Sequence, residues 1–261
     1  MKSKGKSLIV ANWKANPDTE KEAKRIFASI KKSAQKYKNI DMVVCPSLIH
    51  MSTLKTLVRS GNIKLGSQDF FYEPNGSFTG FVGYEALLEE KIKYAIIGHS
   101  ERRALGEDNA MIAKKLNAAI ATGITPILCI GENKRDESLN YLNFIKEQLF
   151  EAFSKIPKVK VTQVVIAYEP VWAIGKRAAR SASPAEIKEI VIFIKRVIGD
   201  IYKTKSVPPI KIIYGASVDA KNAGEILDES GVDGLLVGRA SLDTKLFPMI
   251  LEKINEETSR H

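Results

Sequence analysis

Eight short apolar runs, each followed by a stretch with helical spacing, limit what this chain can fold into more than any other feature. The runs fall at 7–12, 40–45, 63–68, 94–98, 126–130, 164–168, 211–214 and 234–237. They are apolar on both faces, which marks strands buried on both sides. Helical spacing follows at 19–37, 52–61, 84–90, 109–122, 139–153, 220–229 and 244–255. The clearest helix carries Ile187, Ile190, Val191, Ile194, Val197 and Ile198 on one stripe. Ser183, Pro184 and Glu186 announce its start with an N-cap, a first-turn proline and a capping-box acid. Strand–helix alternation of this kind requires a parallel α/β sheet covered by helices, and eight units suggest closure into a single-domain (β/α)8 barrel. No linker or low-complexity tract divides the chain, so residues 1–261 read as one domain. A doubly wound open sheet is the alternative. The absence of GxGxxG after the first run counts against its dinucleotide-binding form.

With 40 Lys and Arg against 30 Asp and Glu, the formal net charge of +10 favours an anionic partner. Nucleic acid, an acidic membrane surface and a small phosphorylated substrate all satisfy that condition. Most of the basic residues interleave with Glu along helical faces, so they read as solvated surface, and neither nucleic acid nor membrane is expected as a partner. Only residues 1–6 form a compact basic run. That run is too short and polar for a secretory signal, and no stretch approaches the roughly 20 apolar residues of a membrane span, so a cytoplasmic protein is expected. Cys45 and Cys129 each end an apolar run without CxxC spacing. Buried thiols are expected there, and no metal site.

In a barrel of this type the chemistry gathers where strands end, so the polar residues just after each run form the shortlist. The first run ends in Asn12 and Lys14, the fourth in His99, Ser100 and Glu101, and the sixth in Glu169. The seventh and eighth end in the small-residue loops Gly215-Ala216-Ser217 and Gly238-Arg239-Ala240. Each residue alone has an ordinary reading: Lys14 as surface charge, His99 as a structural imidazole, Glu169 as a helix-start acid, Glu101 as a partner for Arg102 or Arg103. Together, a base, a neutral donor, a cation and two loops of free amides suit proton transfer beside a phosphate.

These motifs resemble the triosephosphate isomerase family over essentially the whole chain. They are Asn12-Trp13-Lys14, Gln68-Asp69, Asn75-Gly76-Ser77-Phe78-Thr79-Gly80, Gly98-His99-Ser100-Glu101-Arg102-Arg103, and the run from Pro126 to Glu132. Ala167-Tyr168-Glu169-Pro170-Val171-Trp172-Ala173-Ile174-Gly175 is similar to the family signature around its base and lid. Tyr214-Gly215-Ala216-Ser217-Val218 and Leu236-Val237-Gly238 resemble its phosphate loops. The resemblance implies a TIM barrel and an aldose–ketose isomerase of triose phosphates, serving glycolysis and gluconeogenesis through an enediolate. It implies Glu169 as base, His99 as neutral electrophile and Lys14 as stabilising cation, with Asn12 and Glu101 beside Lys14. It further implies phosphate contacts from Gly175, Ser217 and Gly238, the last at a helix start. A lid from Pro170 to Gly175, a homodimer joined through the Thr79 loop, and no metal or organic cofactor are implied as well. The alternative is a non-catalytic or differently specific phosphate-binding barrel.

The sequence departs from the family pattern in places. Lys176, Arg177, Ala178, Ala179, Arg180 and Ser181 make the segment after the lid longer and basic. Ala216 and Arg239 replace the second glycine of each phosphate loop, and Arg239 either adds a charge-assisted phosphate contact or faces solvent. Phe81 stands where the family tends to carry an acid, the segment after Arg103 is one residue short, and Gly83-Tyr84 replaces a serine–proline helix start.

Overall fold

Eight parallel strands hydrogen-bond in chain order, and the last closes on the first. The computed structural model describes residues 6–58, 61–175 and 180–259; nearly all of the basic run at 1–6, and residues 176–179 of the basic insert, lie outside the described residues. The strands are β1 (Ser7–Asn12), β2 (Ile40–Cys45), β3 (Ile63–Ser67), β4 (Tyr94–Ile97), β5 (Thr125–Ile130), β6 (Val165–Tyr168), β7 (Lys211–Tyr214) and β8 (Gly234–Val237). The helices are α1 (Glu20–Ala34), α2 (Met51–Lys55), α3 (Tyr84–Glu89), α4 (Ser100–Ala104), α5 (Asn109–Thr122), α6 (Asn140–Phe153), α7 (Pro184–Ile201), α8 (Ala223–Glu229) and α9 (Leu246–Ser259). The fold is a single-domain (β/α)8 barrel.

Strand residues alternate between two cores. Leu8, Val10, Val43, Ile96, Ile127, Val165, Ile213 and Leu236 fill the barrel interior together with Cys45 and Cys129. Their neighbours Ile9, Met42, Ile97, Leu128, Ile166 and Ile212 point outward into the helix layer. Burial on both faces is why the strands read as continuous apolar runs. The α7 stripe of Ile187, Ile190, Val191, Ile194, Val197 and Ile198 is wholly buried, and its capping box forms as the sequence indicates.

Three differences from the sequence reading have local causes. The helix expected at 52–61 is only Met51–Lys55, preceded by a 3-10 turn at Leu48–His50. The helix expected at 220–229 starts at Ala223, because the Asp219 side chain accepts from the backbone amides of Lys221 and Asn222 and holds a turn there. Helix α4 has no counterpart in the apolar pattern: it has five residues and none is buried, so no periodicity marks it.

Candidate active site

At the carboxyl end of β1 the chain turns sharply after the fully buried Trp13. Lys14 therefore takes a left-handed backbone, φ 54°. For a residue with a Cβ this costs on the order of 1–2 kcal/mol, and the surroundings hold it. Asn12 Oδ1 accepts from the Lys14 amide at 3.0 Å, and Gln68 Nε2 donates to the Lys14 carbonyl at 2.7 Å and to that of Cys45 at 3.0 Å. So fixed, Lys14 Nζ reaches Glu101 Oε1 at 2.5 Å.

His99 follows β4 and caps α4. Its Nδ1 accepts from the Glu101 amide at 3.2 Å. An accepting Nδ1 carries no proton, so in the neutral ring the proton is assigned to Nε2, the nitrogen that faces Glu169. Nε2 lies 3.4 Å from Glu169 Oε1, and Nδ1 lies 3.9 Å from Glu101 Oε2. Lysine, glutamate, imidazole and the second glutamate thus form one continuous line across strands β1, β4 and β6.

Glu169 follows β6, with its amide donating to the Ile130 carbonyl at 2.7 Å. Its side chain is only 2% exposed. Oε2 accepts from the Ser100 amide at 3.3 Å, whereas Oε1 has no hydrogen-bond partner among the described residues. Beside it, burial and then the Glu169 charge push the Cys129 thiol well above its ordinary range.

Lys14, His99, Gly175, Ser217, Gly238 and Arg239 all line one cleft of about 720 Å³. Glu169 stands at its border: it lines an adjoining cavity of about 480 Å³ with Ser100 and Cys129, and a Cβ added at Gly215, in the cleft wall, would lie 3.3 Å from Glu169 Oε1. Gly175 is left-handed at φ 81°, and the Ser217 hydroxyl donates to the Ala173 carbonyl at 2.7 Å. A Cβ added at Gly238 would be 3.5 Å from Lys14 Cε, so the β8 loop and the lysine share one wall. Gly238 opens only a 3-10 turn, Arg239–Leu242. Arg239 is exposed at the cleft rim. Asn12, Lys14, His99 and Glu101 also line a second hollow of about 550 Å³, whose wall includes Phe81 and Leu105.

Several residues that shape the site have no assigned role in the sequence reading. Gln68 braces Lys14, and Ser100 offers its amide to Glu169. Lys115, fully buried in α5, bridges Asp69 at 2.5 Å and Glu107 at 3.0 Å, and Arg102 joins both acids at 2.8 Å. A lysine between Ile112, Leu116 and Ala119 on an apolar stripe is the signal that could have revealed this cluster. Glu132 accepts from Tyr168 and Trp172 at 2.9 and 2.8 Å, tying β6 to the segment after it. Among the described residues no three His, Cys, Asp or Glu side chains are grouped to hold a metal, and no helix is long and apolar enough to cross a membrane.

A closed barrel with an imidazole, a cation and a buried carboxylate gathered at the strand ends has the make-up of a (β/α)8-barrel enzyme. The family model described as Triosephosphate isomerase matches residues 7–254. The triosephosphate isomerase of Dehalococcoides mccartyi is 36% identical over 256 residues, covering 97% of this chain and 98% of that protein. That of Alkaliphilus oremlandii is 37% identical over 244 residues, covering 93% and 97%, and that of Roseiflexus castenholzii is 34% identical over 252 residues, covering 96% and 98%. The chain belongs to the triosephosphate isomerase family and is an isomerase.

Proposed function

We propose that this isomerase interconverts D-glyceraldehyde 3-phosphate and dihydroxyacetone phosphate, with Glu169 as base, His99 as electrophile and Lys14 as the fixed cation. Glu169 removes the proton from the carbon beside the carbonyl. His99 Nε2–H donates to the carbonyl oxygen as negative charge develops and passes protons between the two oxygens of the enediolate. The protonated Glu169 then returns a proton to the neighbouring carbon. Lys14 offsets the charge on the enediolate and phosphate, Asn12 and Glu101 hold that lysine, and the amides of Gly175, Ser217 and Gly238 receive the phosphate. A glutamate base paired with a neutral histidine is the established scheme of triosephosphate isomerases. Two proton transfers require no metal or organic cofactor.

One observation carries this reading: the buried Glu169 Oε1, without a hydrogen-bond partner among the described residues, lies 3.4 Å from His99 Nε2. Glu169 lines the cavity beside the cleft of about 720 Å³ and not the cleft itself. With the carboxylate turned to the Ser100 amide this is the admitting arrangement, and Glu169 turns from that amide into the cleft as residues 170–175 close and exclude water. A coupled assay tests the assignment. Glu169→Gln should lower kcat by about 10²–10⁴-fold, the usual range for loss of a general base; equal turnover in the two proteins would refute it.

The protein acts as a homodimer through the Thr79 loop. Phe78 and Phe81 flank Thr79 and are 41% and 47% exposed, and Phe81 lines one hollow with Leu105, itself 84% exposed, an apolar projection that a second copy would cover. Residues 1–261 act as one domain. A cytoplasmic setting fits the two free, buried cysteines.

A further inference from the structure

The indole of Trp172, three residues beyond the base, sits within reach of two guanidinium groups. The Arg180 carbon Cζ lies 4.8 Å from the ring centroid and that of Arg135 lies 5.8 Å away. Arg180 is simultaneously held from behind: its Nη1 and Nη2 donate to Glu186 Oε2 and Oε1 at 2.7 and 2.6 Å, a two-pronged pair. Glu186 belongs to the capping box of α7, receiving the Ser183 amide at 2.8 Å. Trp172 itself is anchored by its Nε1 donating to Glu132 at 2.8 Å. Arg180 thus connects the rigid amino end of α7 to the aromatic ring at the root of the segment carrying Gly175.

Resting on the reading that residues 170–175 close over the substrate, we propose that Arg180 is a positioning residue for the isomerase reaction: stacked on Trp172 and forked onto Glu186, it holds that segment in the admitting arrangement. The direction follows from the geometry. Arg180 is forked onto the amino end of α7, which does not travel with residues 170–175, so closing that segment draws the indole off the guanidinium and the contact opposes closure. An exposed cation–π contact supports a shift of about two- to fivefold in such an equilibrium. Arg180 is exposed and touches neither the carboxylate nor the imidazole, so it acts only through Trp172.

The test compares wild type with Arg180→Ala and Arg180→Lys, using inorganic phosphate as the probe. Removing the guanidinium should tighten competitive inhibition by phosphate about two- to fivefold and lower KM by a similar factor. Lysine keeps the charge but loses the fork, so it should fall between the other two proteins. Trp172 emission, isolated by subtracting a Trp172→Phe variant, should shift in Arg180→Ala before any ligand is added. Unchanged phosphate inhibition and KM in Arg180→Ala, or weaker phosphate binding, would overturn the assignment. The functional reading fails separately: if wild type does not isomerise triose phosphate, phosphate affinity read by titrating Trp172 emission still decides the role of Arg180, tighter binding in Arg180→Ala supporting it and equal or weaker binding overturning it.

Discussion

A carboxylate only 2% exposed, with one oxygen that has no hydrogen-bond partner among the described residues, is costly, and Glu169 keeps that state because the Ser100 amide satisfies its other oxygen. Lys14 shows the same pattern of local cost held by neighbours, with Asn12 and Gln68 fixing a left-handed backbone. Glu186 is the opposite case, a group rich in donors. The bidentate hydrogen bond from Arg180, joined by the Ser183 amide and hydroxyl, lowers its carboxyl to about 2. The native value lies below the roughly 4.3 of an unfolded chain, so the ionised form stabilises the fold above that value. The contribution is lost as pH falls through the native value. The stability gap between wild type and Glu186→Gln, read from urea midpoints, should therefore narrow steadily from pH 5 toward pH 3; a gap that widens on acidification would contradict the assignment. At this scale the residue types and their positions at strand ends are legible in the sequence. The Arg180–Trp172 contact is not, because residues on either side of a loop are brought together only by how α7 meets β6.

At the scale of elements, the active end depends on how closely adjacent strands approach. A Cβ added to Gly131, just past β5, would meet the Glu169 carbonyl oxygen at 2.0 Å. Backbone must then shift where the proposed base is hung. Gly131→Ala should lower kcat by about 10²-fold, the usual consequence of misplacing a catalytic group by an ångström, with its circular dichroism spectrum retained. Wild-type kcat in that variant would show that the β5–β6 contact does not position the base. All eight strands are legible to within a residue at each end, because burial on both faces writes itself into the sequence as unbroken apolar runs. Helix α7 is equally plain, its stripe and its cap being two independent signals. What escapes are α4 and the 3-10 turns at Leu48–His50, Lys158–Gln163, Val171–Ala173 and Arg239–Leu242, pieces too short for a period to develop. The last of these is why the helix start expected at Gly238 is a tight turn instead.

For the whole molecule, closure of the barrel is what brings residues 12 and 169 into one site, since β1 and β6 are far apart in the chain and neither touches the other in the sheet. The second hollow is lined by Lys14, His99 and Glu101 of the line that ends at Glu169 and by Asn12, so a Thr79 loop seated in it from another copy would press on the proposed cation. Association and activity should then fall together: Thr79→Arg should sediment as a monomer and lose at least about tenfold in kcat, the scale of one displaced catalytic contact. A fully active monomer would remove the partner from the mechanism. That one carboxylate moves a proton between adjacent carbons is tested most directly by running the reaction from glyceraldehyde 3-phosphate in deuterated water. Dihydroxyacetone phosphate formed by wild type should carry solvent deuterium on the carbon that began as the aldehyde, and Glu169→Gln should form neither product nor label above background. Product formed by Glu169→Gln at the wild-type rate and with the same label would contradict that role for Glu169.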